Sequence, residues 1–187
     1  MEIRRKNEAL KKEMKDNKIQ KNKRLIETNQ SQRIRGNIYL GPSFTNEKII
    51  DFLDSNDISY EKLDVQTLLE RVAKLISCEN VVGWYQGQME WGPRALGNRS
   101  ILADPRNAKM KDILNEKVKH RESFRPFAPS ILEEYVSDYF DIDIPSPYML
   151  MVANVKQPKT IPAVTHVDGT GRLQTVSKES NPLYYNL

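Results

Sequence analysis

The chain has 187 residues, of which 39% are hydrophobic, with a mean hydropathy of -0.64 and a formal charge of +4; this is enough for one domain with a real core and too little for two large ones. No run approaches the roughly 18 apolar residues of a membrane span, the N-terminal residues hold no apolar secretory core, and a single cysteine, Cys78, leaves no disulfide framework. A reducing cytoplasm is the expected compartment, and no membrane partner is expected.

The charge is unevenly placed. Residues 1–36 carry twelve Lys/Arg against five Asp/Glu, a net of +7, so the remaining 151 residues hold seventeen basic and twenty acidic groups, a net of -3. The apolar residues of this tail are scattered (Ile3, Leu10, Met14, Ile19, Leu25, Ile26), too sparse to bury much surface. It reads as a helical or disordered tail or linker, and nucleic acid is not the expected partner, although a basic tail of this kind can bind one through counterion release.

The domain itself is expected over residues 37–187. Asn37 to Leu40 reads as a short strand and Gly41-Pro42-Ser43 as a turn. Thr45 suits an N-cap for a helix with Ile49, Ile50, Phe52 and Leu53 on its apolar face, ending near Ser55. Val65, Leu68, Leu69, Val72, Leu75 and Ile76 recur at helical steps and predict a second, core-facing helix, with Cys78 inert at its end. Asn80 to Tyr85 reads as a buried strand.

Gly92-Pro93 and Gly97 then mark a loop, so Arg94, Asn98, Arg99 and Ser100 lie where backbone can approach a ligand. Ile101 to Ala103 predicts a strand, and Asp104-Pro105 the start of a helix carrying Met110, Ile113, Leu114 and Val118. That helix should fade by Arg121, because the prolines of Phe124-Arg125-Pro126-Phe127-Ala128-Pro129 enforce an extended segment. Ile131 to Phe140 predicts a short helix, Asp141 to Ile144 an acidic loop, Tyr148 to Val155 the clearest strand, Lys156 to Pro162 a loop, and Arg172 to Val176 a last strand.

Between Arg94 and Arg125 nine basic residues (Arg94, Arg99, Arg106, Lys109, Lys111, Lys117, Lys119, Arg121, Arg125) stand against four acidic ones. Such an excess suits an anionic ligand, because guanidinium groups offer forked donors and ammonium groups compact charge to phosphate. Lys119 and Arg121 would project to one side of an extended segment. The competing structural reading is that Arg94 and Arg99 hold loop carbonyls while Lys119 and Arg121 are exposed helix-end charges. His166 sits near a turn. Two histidines and one cysteine without ligand-like spacing do not suggest a metal site in this chain.

From Tyr39 onward the chain resembles the C-terminal domain of the O-carbamoyltransferase family, which includes nodulation-factor and antibiotic carbamoyltransferases. The resemblance rests on LGPSF at 40–44, GWYQGQMEWGPRALGNRSILADPR at 83–106, FRPFAPS at 124–130, SPYML at 146–150 and THVDGTGRLQTV at 165–176. It implies a YrdC-like α/β (α+β) fold, a twisted mixed sheet flanked by helices. It also implies binding of carbamoyl phosphate and ATP to form a carbamoyl-adenylate, compatible with Mg2+. A separate actin-like N-terminal domain, whose metal this chain does not bind, would pass the carbamoyl group to a small-molecule hydroxyl acceptor.

Lys119-His120-Arg121 looks like the Lys-x-Arg signature of such domains, making Lys119 and Arg121 the implied catalytic pair. Arg94, Arg99, Ser100, Arg125, His166 and Arg172 are the implied substrate and nucleotide contacts. The actin-like half is not recognisable in residues 1–35, and the family's Ser-x-Asn segment is expected beyond Leu187. Truncation at the C-terminal end and a homodimer are both compatible with this reading. The alternative is a degenerate, non-catalytic binding or assembly module whose basic tail contacts nucleic acid or a partner protein.

Overall fold

The computed structural model describes residues 38–187; the basic tail and the first residue of the strand expected at 37–40 lie outside them. The expected mixed α/β architecture is present, with five α-helices and a sheet divided into three two-stranded ladders among the described residues. None of these helices is long and apolar enough to cross a membrane.

Helix α1 (Asn46–Ser55) starts at Thr45, whose hydroxyl accepts from the Lys48 amide. The expected apolar face does not enter the core: no residue of α1 is buried and Phe52 is 61% exposed. Helix α2 (Val65–Ser77) is capped by Asp64, whose carboxylate accepts from the Thr67 amide at 3.0 Å. Its Leu69 and Val72 are buried against Trp84, as their three-residue spacing on one helix face requires.

Trp84 belongs to β1 (Val82–Tyr85), which pairs antiparallel with β2 (Arg99–Leu102) in the register Val82 to Leu102 and Tyr85 to Arg99. Residues 38–40 form no strand. They still pair with the loop after β1, the Trp91 amide donating to the Ile38 carbonyl at 2.7 Å and Gly41 to Met89 at 2.9 Å.

Helix α3 (Met110–Ile113) begins later than its sequence suggests and widens at once into a π-turn over Leu114–Val118. The chain then runs extended through the prolines, as expected. Ile131 and Leu132, expected in a helix, lie instead in β3 (Ser130–Leu132), parallel to β6 (Gln174–Val176). Only after a 3-10 turn at Glu133–Tyr135 does α4 (Val136–Tyr139) form. The distant partner strand decided this, because a β ladder satisfies those backbone groups where a short helix would leave most of its own unpaired.

The strand expected over 148–155 is shorter, confined to β4 (Val152–Asn154), since Met149 has a left-handed φ of 54° that breaks extended pairing. It pairs antiparallel with β5 (Thr170–Arg172). β5 and β6 are one run interrupted at Leu173, which is fully buried with Phe140, Val155 and Val164. That run joins two ladders. A final helix, α5 (Pro182–Asn186), places Leu183 and Tyr184 on the Leu69, Val72 and Trp84 cluster.

Gly97 is where this last helix meets the loop. Its φ is 104° and a Cβ there would stand 2.4 Å from the Tyr184 ring, so side chains are excluded by both backbone and packing. Gly97→Ala should therefore lower stability by about 2 kcal/mol or more, measured by chemical denaturation.

Candidate functional site

The site is built around the loop joining β1 to β2. Glu90, 5% exposed, turns its carboxylate inward, and Oε1 accepts from the amides of Leu96 at 2.6 Å, Asn98 at 2.8 Å and Arg99 at 3.2 Å. Burial opposes its ionisation, yet these amide donors outweigh that penalty and hold the carboxyl below its ordinary value. One buried anion thus curls the Gly92–Gly97 segment into a fixed shape.

A polar network locks the outer side of the same loop. Gln86 donates to Asn98 Oδ1 at 2.9 Å and to Asn181 Oδ1 at 2.7 Å, and itself accepts from Trp84 Nε1 at 2.7 Å. Asn181 donates to Asn98 Oδ1 at 3.0 Å and to the Tyr39 hydroxyl at 3.1 Å. The Leu96 carbonyl receives both Tyr39 Oη at 3.0 Å and Gln174 Nε2 at 2.9 Å. Residues from position 39 to position 181 therefore converge on one loop.

A cavity of about 700 Å³ opens beside it. Arg94 and Ser100 line one wall, Lys119 and Arg121 another, the Pro126 to Leu132 segment a third, and Arg172 with Tyr184 the last. Burial pushes the Tyr184 phenol above its ordinary value, so it remains a donor, 2.8 Å from Ser130 Oγ. Among the described residues, no Asp or Glu lines the cavity. Its size is that of a nucleotide-scale ligand pocket, and its polar character is cationic.

Five of the eight candidates share this cavity: Arg94, Ser100, Lys119, Arg121 and Arg172. Lys119 and Arg121 do not reach it from an extended segment. Lys119 ends the π-turn in helical conformation, and His120 has a φ of 47° that turns the chain back. Arg121 stacks over Phe127, with its guanidinium carbon 4.8 Å from the ring centre, and its Nε donates to Asn115 Oδ1 at 2.8 Å. Arg172 arrives on β5, more than fifty residues later in the chain, and its buried Nε has no hydrogen-bond partner among the described residues. A buried guanidinium N–H without an acceptor is costly.

The other three candidates lie outside the cavity. Arg99 lies over Tyr85 and donates to the carbonyls of Gln86, Gly87, Asn98 and Pro42, the carbonyl-holding arrangement raised as the structural reading. Arg125 pairs with Glu122 at 2.8 Å and faces a separate, more open depression. His166 closes the turn before β5, its Nδ1 3.0 Å from Thr170 Oγ1, which donates onward to Asp168.

Sequence reasoning missed Glu90, Asn115 and Tyr184. The two polar ones are legible only as ordinary surface residue types, and their inward turn depends on the chain folding back on them from six to ten residues later. The Asn181-Pro182 pair is a visible cap signal for α5, with Asn181 Oδ1 accepting from Tyr184 N at 3.3 Å.

The geometry thus defines a mixed α/β domain with a cationic, nucleotide-scale cavity. The family described as carbamoyltransferase C-terminus matches residues 73–187, and the chain belongs to it, as the C-terminal domain of O-carbamoyltransferases. It is 48% identical to an uncharacterized protein of Synechocystis sp. over 173 residues, covering 80% of this chain and 28% of that protein. Similarity to the nodulation protein NolO of Bradyrhizobium diazoefficiens is 47% over 158 residues, with 80% and 28% of the two chains covered. The 3'-hydroxymethylcephem-O-carbamoyltransferase of Amycolatopsis lactamdurans is 48% identical over 107 residues, covering 57% of this chain and 20% of that enzyme. The chain spans 28% of the length of the first two relatives. Its family relatives point to transferase activity at the level of the family.

The Glu90 arrangement makes a prediction about pH. Because folding lowers its pKa, the stability it supplies is complete above the unfolded value and is lost as pH falls through the folded value. Glu90→Gln should cost about 1.5 to 3 kcal/mol at neutral pH, the range for hydrogen bonds to a charged group. The difference from wild type should shrink in acid, where both forms are neutral, as read by urea denaturation at the two pH values.

Proposed function

We propose that this cavity binds carbamoyl phosphate and ATP and is where a carbamoyl-adenylate forms, for delivery to a hydroxyl acceptor by a separate actin-like domain. The observation that carries the reading is the convergence of Arg94, Lys119, Arg121 and Arg172 on one cavity whose described lining holds no carboxylate. The cephem carbamoyltransferase among the relatives supplies the group being transferred.

The chemistry needs that charge. Water first hydrolyses carbamoyl phosphate to carbamate and inorganic phosphate; a carbamate oxygen then attacks the α-phosphorus of ATP, forming a C–O–P linkage as the bond to pyrophosphate breaks and pyrophosphate leaves. Negative charge accumulates on the α-phosphoryl and leaving oxygens, and fixed guanidinium and ammonium donors lower the barrier by meeting it without reorganising. Lys119 and Arg121 would serve this centre, Arg94 and Arg172 the remaining phosphates, and Ser100 would donate a hydrogen bond. Cavity residues offer no carboxylate for Mg2+, whose usual protein ligands are carboxylates, so the ion would enter with the nucleotide rather than be held by this chain.

Calorimetric titration with carbamoyl phosphate and with a non-hydrolysable ATP analogue tests the reading. Lys119→Ala and Arg121→Ala should each weaken binding by about 1.5 to 3 kcal/mol. Lys119→Ala should leave the melting temperature unchanged, because its side chain is exposed. Arg99→Ala should behave oppositely, lowering the melting temperature with a smaller effect on affinity. Absence of heat and of competition by phosphate analogues, with the partner domain supplied, would sink the proposal.

A further inference from the structure

We infer that Asn115 is the positioning residue for Arg121, acting as a clamp that fixes one edge of the guanidinium so that the other edge faces an anion in the cavity. The inference rests on the proposed role of Arg121. Asn115 is fully buried, although it sits near the end of a short helix whose later residues, Glu116 to His120, are exposed. All of its recorded bonds beyond the helix go to the Arg121 to Arg125 segment. Oδ1 accepts from Arg121 Nε at 2.8 Å, its carbonyl accepts from the Arg121 amide at 3.0 Å, and Nδ2 donates to the carbonyls of Ser123 at 3.2 Å and Arg125 at 3.0 Å.

The π-turn makes this reach available. Its bond from the Lys119 amide spans five residues to the Leu114 carbonyl, at 2.9 Å, so the helix widens at this point. Widened turns of this kind recur at functional sites because they re-aim side chains. Asn115 is thereby turned toward the returning chain, between the helix and residues 121–125. Phe127 supports the flat face of the guanidinium. With Nε held from one side and the face covered, rotation about the last Arg121 torsions is restricted; Arg121 lines both the cavity and the open depression that holds Glu122, and among the described residues its two Nη groups make no hydrogen bond to either side. A donor fork held in place in this way loses less rotamer freedom when an anion binds.

Neither a hydrophobic residue nor a longer one would serve. An apolar side chain would leave the carbonyls of Ser123 and Arg125 and the Nε–H without partners in a buried position, and glutamine would add a methylene where there is no free volume.

A double-mutant cycle tests the clamp, with inorganic pyrophosphate as the probe and affinity read by calorimetry on the full chain. Asn115→Ser shortens the side chain away from Arg121 Nε but leaves a hydroxyl for a loop carbonyl. It should weaken pyrophosphate binding about tenfold in the wild-type background and have no further effect in the Arg121→Ala background, the sign of coupling between the two side chains. The Arg121 Nε–H signal in nitrogen-15 spectra gives a second readout, slow to exchange in wild type and fast in Asn115→Ser while the backbone amide pattern persists.

Equal losses of affinity in both backgrounds would overturn the clamp, as would an unchanged affinity or an unchanged Nε–H exchange rate in Asn115→Ser. If Arg121→Ala alone leaves pyrophosphate affinity intact, the anion-binding role of Arg121 itself falls, and the clamp with it. If Asn115→Ser does not fold, the cycle is run with Asn115→Asp, which keeps the volume and the acceptor. A fast-exchanging Arg121 Nε–H in that folded variant would overturn the clamp, and a protected one would support it.

Discussion

The buried carboxylate of Glu90 is the interaction on which the cavity depends. A carboxylate removed from water is costly unless donors surround it, and three amides of the Leu96 to Arg99 turn provide them. Those amides cannot be satisfied in this way unless the chain bends around the anion, so the need to solvate one charge sets the path of the whole β1–β2 connection. Arg94 and Ser100 reach the cavity because of that path.

The surrounding polar network converts a local loop into a tertiary hub. Tyr39, Gln86, Asn98, Gln174 and Asn181 all bond to the loop or to one another, joining the first described residues, the central ladder, the β3–β6 ladder and the last helix. Such a network stabilises one arrangement only when every member is satisfied. The packing of Tyr184 against Gly97 adds a steric constraint to the electrostatic one. The cavity therefore lies where three small ladders and two short helices are held together mainly by side-chain bonds, rather than on a single continuous sheet.

The basic excess between Arg94 and Arg125 separates into different duties in three dimensions. Arg106 is neutralised by Asp104 and Arg125 by Glu122, while Arg99 serves four carbonyls. Arg94 and Lys119 are left to the cavity, Arg121 lies between it and the depression holding Glu122, and Arg172 joins them from β5. The charge excess along the chain falls beside the cavity, yet local excess alone could not separate a cavity-lining arginine from one that braces a loop, since both use the same forked donor.

The sequence by itself determined the mixed α/β class, the helix capped at Thr45 and the periodic helix after it, the proline-stiffened segment before β3, and the motif series by which the family is recognised. These follow from local steric and capping rules, or from residue order, and need no distant partner. Tertiary structure alone decided that Ile131 and Leu132 form a strand, that the helix holding Phe52 stays at the surface, and that Glu90 and Asn115 are buried polar organisers. For β3 the partner strand lies far along the chain, and for Glu90 and Asn115 it is the path of a nearby loop that brings donors and acceptors to the side chain; the free energy of burial and of buried hydrogen bonds depends on that neighbour rather than on the residue's own propensity.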